Sequence, residues 1–256
     1  HEFSVYLRPG EGRLFQYKVT GYTPLPAVLY VPSEQYPTIQ SAIDAAQPWQ
    51  IVLVDTGTYL ENIDFKGKGI LVTSKFHTTG DTSYISRTII DGSDPDSSDS
   101  ASVVRFISIE GFCPCIKGFT LREGCGTKMD YNGKTTKNGG GICCKNSSPT
   151  ITNNIIVSND VGNGMGGGIF CCGSSSPRIV NNVIRENKAN WGGGICGGSP
   201  QMIIANNLIS QDTAYYNGGG IDLAKGIITN NTINACSAGS EGGGIWATPT
   251  CRIVNN

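Results

Sequence analysis

The sequence predicts an all-β fold, a right-handed parallel β-helix: a three-sheet solenoid with coils of about 25 residues and an N-terminal capping helix. Two motifs repeat along the second half of the chain. GGGI recurs after 27, 26, 26 and 24 residues, and NN recurs after 28, 25, 24 and 25. The GGGI copies end at Ile142, Ile169, Ile195, Ile221 and Ile245, and the NN copies end at Asn154, Asn182, Asn207, Asn231 and Asn256. Apolar and polar residues alternate around these motifs, which indicates strands.

Each repeat is a unit of three short strands that cannot bury its apolar face alone, so it must stack on copies of itself. In-register stacking at the strand separation of ~4.8 Å places each isoleucine on its equivalent in the next coil. We therefore expect a dry core of isoleucine ladders, and the rule for parallel crossovers favours a right-handed coil.

The N-terminal elements differ from the repeats. Residues 1–30 contain aromatic alternations such as LFQYKV, which we interpret as a strand or extension over the cap. Thr38 is a suitable helix N-cap, and Ile39, Ala42, Ile43 and Ala46 form one apolar stripe that ends before Pro48. The pattern predicts a capping helix over 38–47, because an uncovered coil end is an open sheet edge.

The remaining chain divides into irregular coils at 50–130 and regular repeats at 131–256, so the β-helix itself spans 31–256. Within a repeat, GGGI is interpreted as a sharp corner that enters a strand. NN is interpreted as a corner whose stacked amides hydrogen-bond from coil to coil. The sequence stops at RIVNN, inside a repeat. We expect either that the natural protein continues or that its C-terminal coil associates end to end with another molecule.

Composition excludes several classes of protein. The chain has 19 Lys and Arg against 20 Asp and Glu, which gives no electrostatic drive toward nucleic acid. No apolar run approaches the ~18 residues of a membrane span. The histidines are His1 and His77, and the spacing of the ten cysteines does not match a zinc site. Disulfides in an exported protein and buried free thiols are both compatible with these cysteines.

Two stretches carry a family resemblance. YPTIQSAIDAA with IVLVDTGTYLENIDF resembles the opening of pectin-lyase-like right-handed β-helix proteins, including pectin methylesterases. GGGICCKNSSPTITNNII resembles the bacterial secreted or surface β-helix repeat proteins of that superfamily. The resemblance covers about residues 31–256 and implies the fold and an extracellular or cell-surface location. It brings no catalytic set, since the motifs of polygalacturonases, pectate lyases and methylesterases have no counterpart here.

The residues that flank GGGI form the candidate binding site. Strict alternation directs the residue after the isoleucine outward, and the residue before the glycines lies at the same corner. In the last coils these positions and a nearby tyrosine supply Trp191, Tyr216, Asp222, Glu241 and Trp246. Aromatic rings beside carboxylates are typical of sugar-binding surfaces, although exposed aromatics also cover corners or contact a neighbouring domain.

A second candidate is a metal site in the loop DGSDPDSSD, where Asp91, Asp94, Asp96 and Asp99 are candidate Ca²⁺ ligands. The glycine and bidentate glutamate of an EF-hand loop are not in place. A solvated Asp/Ser loop is the alternative interpretation.

We therefore predict an extracellular β-helix domain that binds carbohydrate or serves as a cell-surface or adhesion module. Its partner would be a polysaccharide or a cell-surface glycan, with no nucleic acid and no membrane span. The alternative is a divergent polysaccharide lyase or glycoside hydrolase that acts on an acidic, pectin-like polysaccharide. A purely structural spacer is a third reading of the same repeats.

Overall fold

A computed structural model describes residues 28–110, 113–131 and 133–256. The chain forms the predicted right-handed parallel β-helix, in which each full coil contributes one strand to each of three long parallel sheets. The N-terminal extension predicted at 1–30 lies outside the described residues, apart from Val28 and the positions that follow it in the first strand.

The three sheets are called A, B and C. Sheet A contains Val28–Val31, Ile51–Val54, Leu71–Ser74, Cys115–Lys117, Thr150–Thr152, Arg178–Val180, Ile203–Ala205, Gly226–Thr229 and Cys251–Val254. Sheet B contains Gly57–Leu60, Thr88–Asp91, Thr120–Arg122, Ile155–Val157, Val183–Arg185, Leu208–Ser210 and Thr232–Asn234. Sheet C contains Ile63–Asp64, Val104–Phe106, Ile142–Lys145, Ile169–Cys172, Ile195–Gly197, Ile221–Leu223 and Ile245–Ala247.

The shorter elements lie at the corners and outside the coil. Two-residue strands Lys188–Ala189, Thr213–Ala214 and Ser237–Ala238 pair in parallel between sheets B and C. The strands Gly126–Tyr131 and Lys134–Asn138 form an antiparallel hairpin that also pairs with Ser100–Ala101. The helices are Ile39–Ala45, Phe76–Thr79 and Ser83–Arg87.

The isoleucine ladders are present as predicted. In sheet C, Ile169 pairs with Ile195 and Ile195 pairs with Ile221, and these three side chains are fully buried. Sheets A and B carry equivalent inward rows, so one continuous apolar core runs through the coils. Burial of these rows is the main favourable term in the stability of the fold.

The paired asparagines have two separate roles. The first of each pair adopts the left-handed conformation, as Asn206 does with φ of 56°, and turns the chain. The second forms the predicted amide ladder and is buried in every pair except the last, where Asn256 is exposed. The main-chain N–H and Nδ2 of Asn182 both donate to Oδ1 of Asn207, at 2.9 and 3.0 Å. Asn207 donates in the same way to Asn231, which donates to Asn256.

The capping helix begins after Thr38, whose side chain forms a capping box with Ser41. The helix buries Ile39, Ala42 and Ile43 against the first coil. Outside the helix, the carboxylate of Glu61 accepts the main-chain N–H groups of Ile39 and Gln40, both at 2.9 Å. At the other end, Lys68 Nζ donates to three carbonyl oxygens, those of Ile43, Asp44 and Ala46. Both ends of the helix are therefore tied to the coil beneath it.

The hairpin at 126–138 covers part of the outer face of sheet C. Met129 from the hairpin, Cys143, Phe170 and Cys196 belong to a second, smaller apolar cluster that is separate from the interior core. Cys143, Phe170 and Cys196 point outward from sheet C, as strict alternation predicts. Alternation alone would leave them in contact with solvent, but in the structure all three are buried. The hairpin directly precedes the first GGGI strand of sheet C, which begins at Ile142.

All ten cysteines carry free thiols in the structure. Cys144 pairs with Cys171 in register, and both point into the core. Burial raises the pKa of the Cys144 thiol well above its usual range, which keeps it protonated. Half of the thiols are buried, whereas Cys113 and Cys125 are exposed; the buried ones are those of Cys143, Cys144, Cys171, Cys172 and Cys196.

Replacing Asn207 with Ala tests the amide ladder. The substitution leaves two donors of Asn182 and the carbonyl of Ile179 without their partner inside the coil. We expect a loss of about 2–4 kcal/mol in the free energy of unfolding, measured by urea denaturation. The adjacent Asn206→Gly is the control, because glycine accepts the left-handed conformation and the side chain is exposed. Equal losses in the two variants would contradict the ladder's contribution.

Candidate functional site

The GGGI corner places the residue before the glycines beside the outward residue after the isoleucine. Gly218 has φ of 64°, and a Cβ added there would lie 2.7 Å from Cβ of Asp222. The chain therefore folds back closely on Asp222. One coil later the same geometry produces a direct contact, in which Trp246 Nε1 donates a hydrogen bond of 3.0 Å to Glu241 Oε2.

Asp222 and Trp246 are neighbours on the outer face of sheet C. The register pairs Cys196 with Asp222 and Asp222 with Trp246, so the three side chains form one outward row. Asp222 is half-buried, and burial raises the pKa of its carboxyl group from 3.8 to about 6. Among the described residues no hydrogen bond or ion pair to this carboxylate is found. A ligand that donates a hydrogen bond to Asp222 therefore meets an unused acceptor.

The second half of the site is aromatic. The ring of Trp191 stacks on that of Tyr216, with centroids 4.7 Å apart and an angle of 27° between the planes. Tyr215 meets Tyr216 edge to face at 4.8 Å. Trp191 also packs on the buried cluster that contains Cys196, which fixes it beside the row of Asp222. Tyr215 and Tyr216 are exposed to solvent.

The exposed tyrosines border a shallow groove of about 620 Å³. The groove runs between two neighbouring coils, and its lining combines hydroxyl groups with small apolar side chains. It is lined by Thr213, Ala214, Tyr215, Tyr216, Ser237, Ala238, Gly239 and Ser240. Tyr216 was predicted from the sequence, whereas Thr213, Ser237 and Ser240 of this groove were missed. Alignment of the corners DTAYY and CSAGS across coils is the signal that would have found them.

We call Trp191, Tyr216, Asp222, Glu241 and Trp246 the aromatic–carboxylate surface. The structure joins these residues in pairs: Trp191 with Tyr216, Glu241 with Trp246, and Asp222 with Trp246 by register. An aromatic ring offers a flat apolar face, and a carboxylate accepts hydrogen bonds from hydroxyl groups. Because Glu241 holds the indole of Trp246, that ring is fixed before a ligand arrives.

The acidic loop does not form a convergent set of ligands. Asp91 is buried and forms an ion pair with Arg122 at 2.8 Å, while Asp99 lies 3.2 Å from Lys128. Asp94 and Asp96 are exposed. In the described ranges, no three His, Cys, Asp or Glu side chains are placed to hold a metal ion together. Ca²⁺ binding by this loop stays a prediction.

The fold and the outer surface define the class: a right-handed parallel β-helix protein whose candidate site lies on its outer face. Its fold is similar to the crystal structure of Escherichia coli YbhC, with a TM-score of 0.51 and 14% sequence identity. The similarity covers 93% of this chain and 72% of that one, and it supports the fold. No protein-family profile matches the sequence, and a comparison with curated proteins finds no match. In the part of the chain that the structure describes, helices with the length and hydrophobicity of a membrane span are absent.

The raised pKa of Asp222 is testable through its neighbour Trp246. In a protein with Trp49 and Trp191 replaced by Phe, Trp246 is the sole tryptophan. We expect its fluorescence to change with pH with a midpoint at about 6, where Asp222 loses its proton. Asp222→Asn should remove this transition, whereas Glu241→Gln should retain it. A midpoint at about 4, as for an exposed carboxyl group, would contradict the buried environment.

Proposed function

We propose that this protein is an extracellular β-helix domain that binds carbohydrate on the aromatic–carboxylate surface and does not catalyse a reaction there. The observation that carries the proposal is the pairing of Trp191 with Tyr216 beside the row of Asp222 and Trp246. A rigid stack of two rings presents apolar area at little cost in side-chain entropy, which favours recognition of a sugar ring.

The charge of the surface favours a particular kind of glycan. Asp222 and Glu241 both accept hydrogen bonds when ionised, and neither forms a described ion pair with a lysine or arginine. Sugar hydroxyl groups are suitable donors to both carboxylates. A polyuronate chain brings carboxylates of its own, which the surface repels at neutral pH. We therefore propose a neutral glycan as the preferred ligand.

A divergent lyase or hydrolase is the second candidate, and Asp222 is the observation that favours it. A carboxyl group with a pKa of about 6 is suited to general acid–base catalysis near neutral pH. Glycoside hydrolysis needs a second carboxyl group across the scissile bond. Glu241 is the nearby acid, but its Oε2 already accepts the hydrogen bond from Trp246. Binding without turnover is therefore preferred.

Extracellular location and end-to-end association stay part of the proposal. The extracellular assignment rests on the resemblance of the sequence to secreted and surface β-helix proteins. Association through the C-terminal coil is tested by sedimentation velocity over a range of protein concentrations. A sedimentation coefficient that does not change with concentration would count against it.

The binding function is tested on a panel of neutral and acidic polysaccharides. We expect affinity for a neutral polymer, measured by affinity electrophoresis, and no release of unsaturated product in the ultraviolet. Trp246→Ala and Tyr216→Ala should each weaken binding by about tenfold, because they remove rings that stack on the sugar. Trp49→Ala is the matched control, since this tryptophan is 71% exposed but lies beside the capping helix.

The outcomes of the panel separate the two candidates. Turnover that is lost in Asp222→Asn would replace the binding proposal with the enzymatic one. Loss of affinity in Trp49→Ala that equals the loss in Trp246→Ala would show non-specific adsorption. Absence of binding to every polymer would overturn the carbohydrate proposal and favour the spacer interpretation.

A further inference from the structure

A second ladder of buried polar side chains runs through the corner after sheet B. Its positions lie five residues after the second asparagine of each NN pair and are occupied by Asn159, Asn187 and Asp212. The main-chain N–H and Nδ2 of Asn159 donate to Oδ1 of Asn187 at 3.1 and 2.9 Å. Asn187 donates in the same way to Oδ1 of Asp212, at 2.8 and 2.9 Å. One oxygen of Asp212 thus performs the role of an amide oxygen.

The other oxygen of Asp212 stands where an asparagine has its NH₂ group. Asn187 Nδ2 donates to the carbonyl oxygen of Ile156, one coil earlier, at 3.1 Å. By the equivalence of the coils, Oδ2 of Asp212 faces the carbonyl oxygen of Ile184. Asp212 is fully buried, and among the described residues Oδ2 has no hydrogen-bond partner. Two oxygens in this arrangement repel each other unless one of them carries a proton.

We propose that Asp212 is a neutral carboxylic acid in the folded protein and that its Oδ2–H donates a hydrogen bond to the carbonyl oxygen of Ile184. The contact between the two coils at this corner therefore depends on the proton of Asp212. In the protonated form the ladder is complete. When the proton leaves to solvent, the corner holds a buried negative charge opposite a carbonyl oxygen, and the coils are held less tightly.

The groups around Asp212 support a bound proton. Burial, with the like charge of Glu186 on the preceding coil as a smaller contribution, raises the pKa of Asp212 to about 7. On the following coil the equivalent position is Cys236, and burial raises the pKa of this thiol to about 11, so it stays neutral. The glycine corner adds no titratable group, since a Cβ at Gly194 would lie 2.8 Å from Oδ2. No described lysine or arginine forms an ion pair with Asp212.

The direction of the pH effect follows from linkage. An aspartate in the unfolded chain loses its proton near pH 3.8, whereas Asp212 in the folded chain keeps it to about pH 7. Between these values the folded state holds a proton that the unfolded state has released. Stability therefore falls as the pH rises from about 4 to 7 and is level above that window. The corner that contains Asp212 continues through Thr213–Ala214 into Tyr215 and Tyr216. Protonation of Asp212 at acid pH therefore also stabilises the coil that carries the aromatic residues.

The experiment compares melting temperatures between pH 5 and pH 8. For the unmodified protein we expect a decrease of roughly 5–10 °C across this range. Asp212→Asn supplies the missing NH₂ group, so it should melt higher than the unmodified protein at pH 8 and lose most of the decrease. Asp160→Asn is the matched control, because Asp160 is exposed and its substitution should leave the pH profile unchanged.

A spectroscopic measurement decides the case if Asp212→Asn does not fold. In a protein that carries Asp222→Asn, the infrared band of a protonated carboxyl group should disappear with a midpoint at about pH 7. Absence of this band at pH 5.5 would overturn the proposal. An undiminished decrease in melting temperature in folded Asp212→Asn would overturn it as well.

Discussion

Registration between successive coils is the constraint on which the rest of the structure depends. Each coil offers its main-chain groups to the next, and a shift of one residue would turn every inward isoleucine to solvent. The asparagine ladder adds a directional condition, since Asn182 must present two donors to the single oxygen of Asn207. A shift of two residues would keep the isoleucines inward, but it would break the paired amide contacts. Burial of the apolar core therefore drives folding, and the buried polar groups determine the register between coils.

The elements tied to the period of the repeat could be predicted from the sequence. The ladder of Ile169, Ile195 and Ile221 and the asparagine ladder follow from spacing alone, because like residues must meet when coils stack. The second ladder was missed because Asp212 and Cys236 interrupt it, so no single residue type marks the column. The hairpin carries a local turn signal, the pair NG at 132–133, which the stronger repeat signal hid.

The candidate site depends on which outward positions the hairpin leaves uncovered. Cys143, Phe170 and Cys196 lie under or beside Met129 and act as a small external core. Asp222 and Trp246 continue the same row beyond this cover. Sequence alternation finds all these positions as outward, but it contains no information on what packs over them. The stack of Trp191 on Tyr216 likewise joins two coils through side-chain packing that no local pattern encodes.

At the glycine corner of each coil, the three glycines cannot be replaced by larger residues, whereas the residue just before them varies from coil to coil. A Cβ at Gly193 would lie 2.5 Å from the carbonyl oxygen of Gly219, so the three glycines admit no side chain. The position just before them nevertheless carries Asn138, Met165, Trp191, Asn217 and Glu241 in successive coils. Amide, thioether, indole and carboxylate groups are thus all accepted on one backbone geometry. The coils thus present one variable side chain per turn at a constant spacing along the β-helix. New recognition surfaces could be engineered at these positions without redesign of the coil.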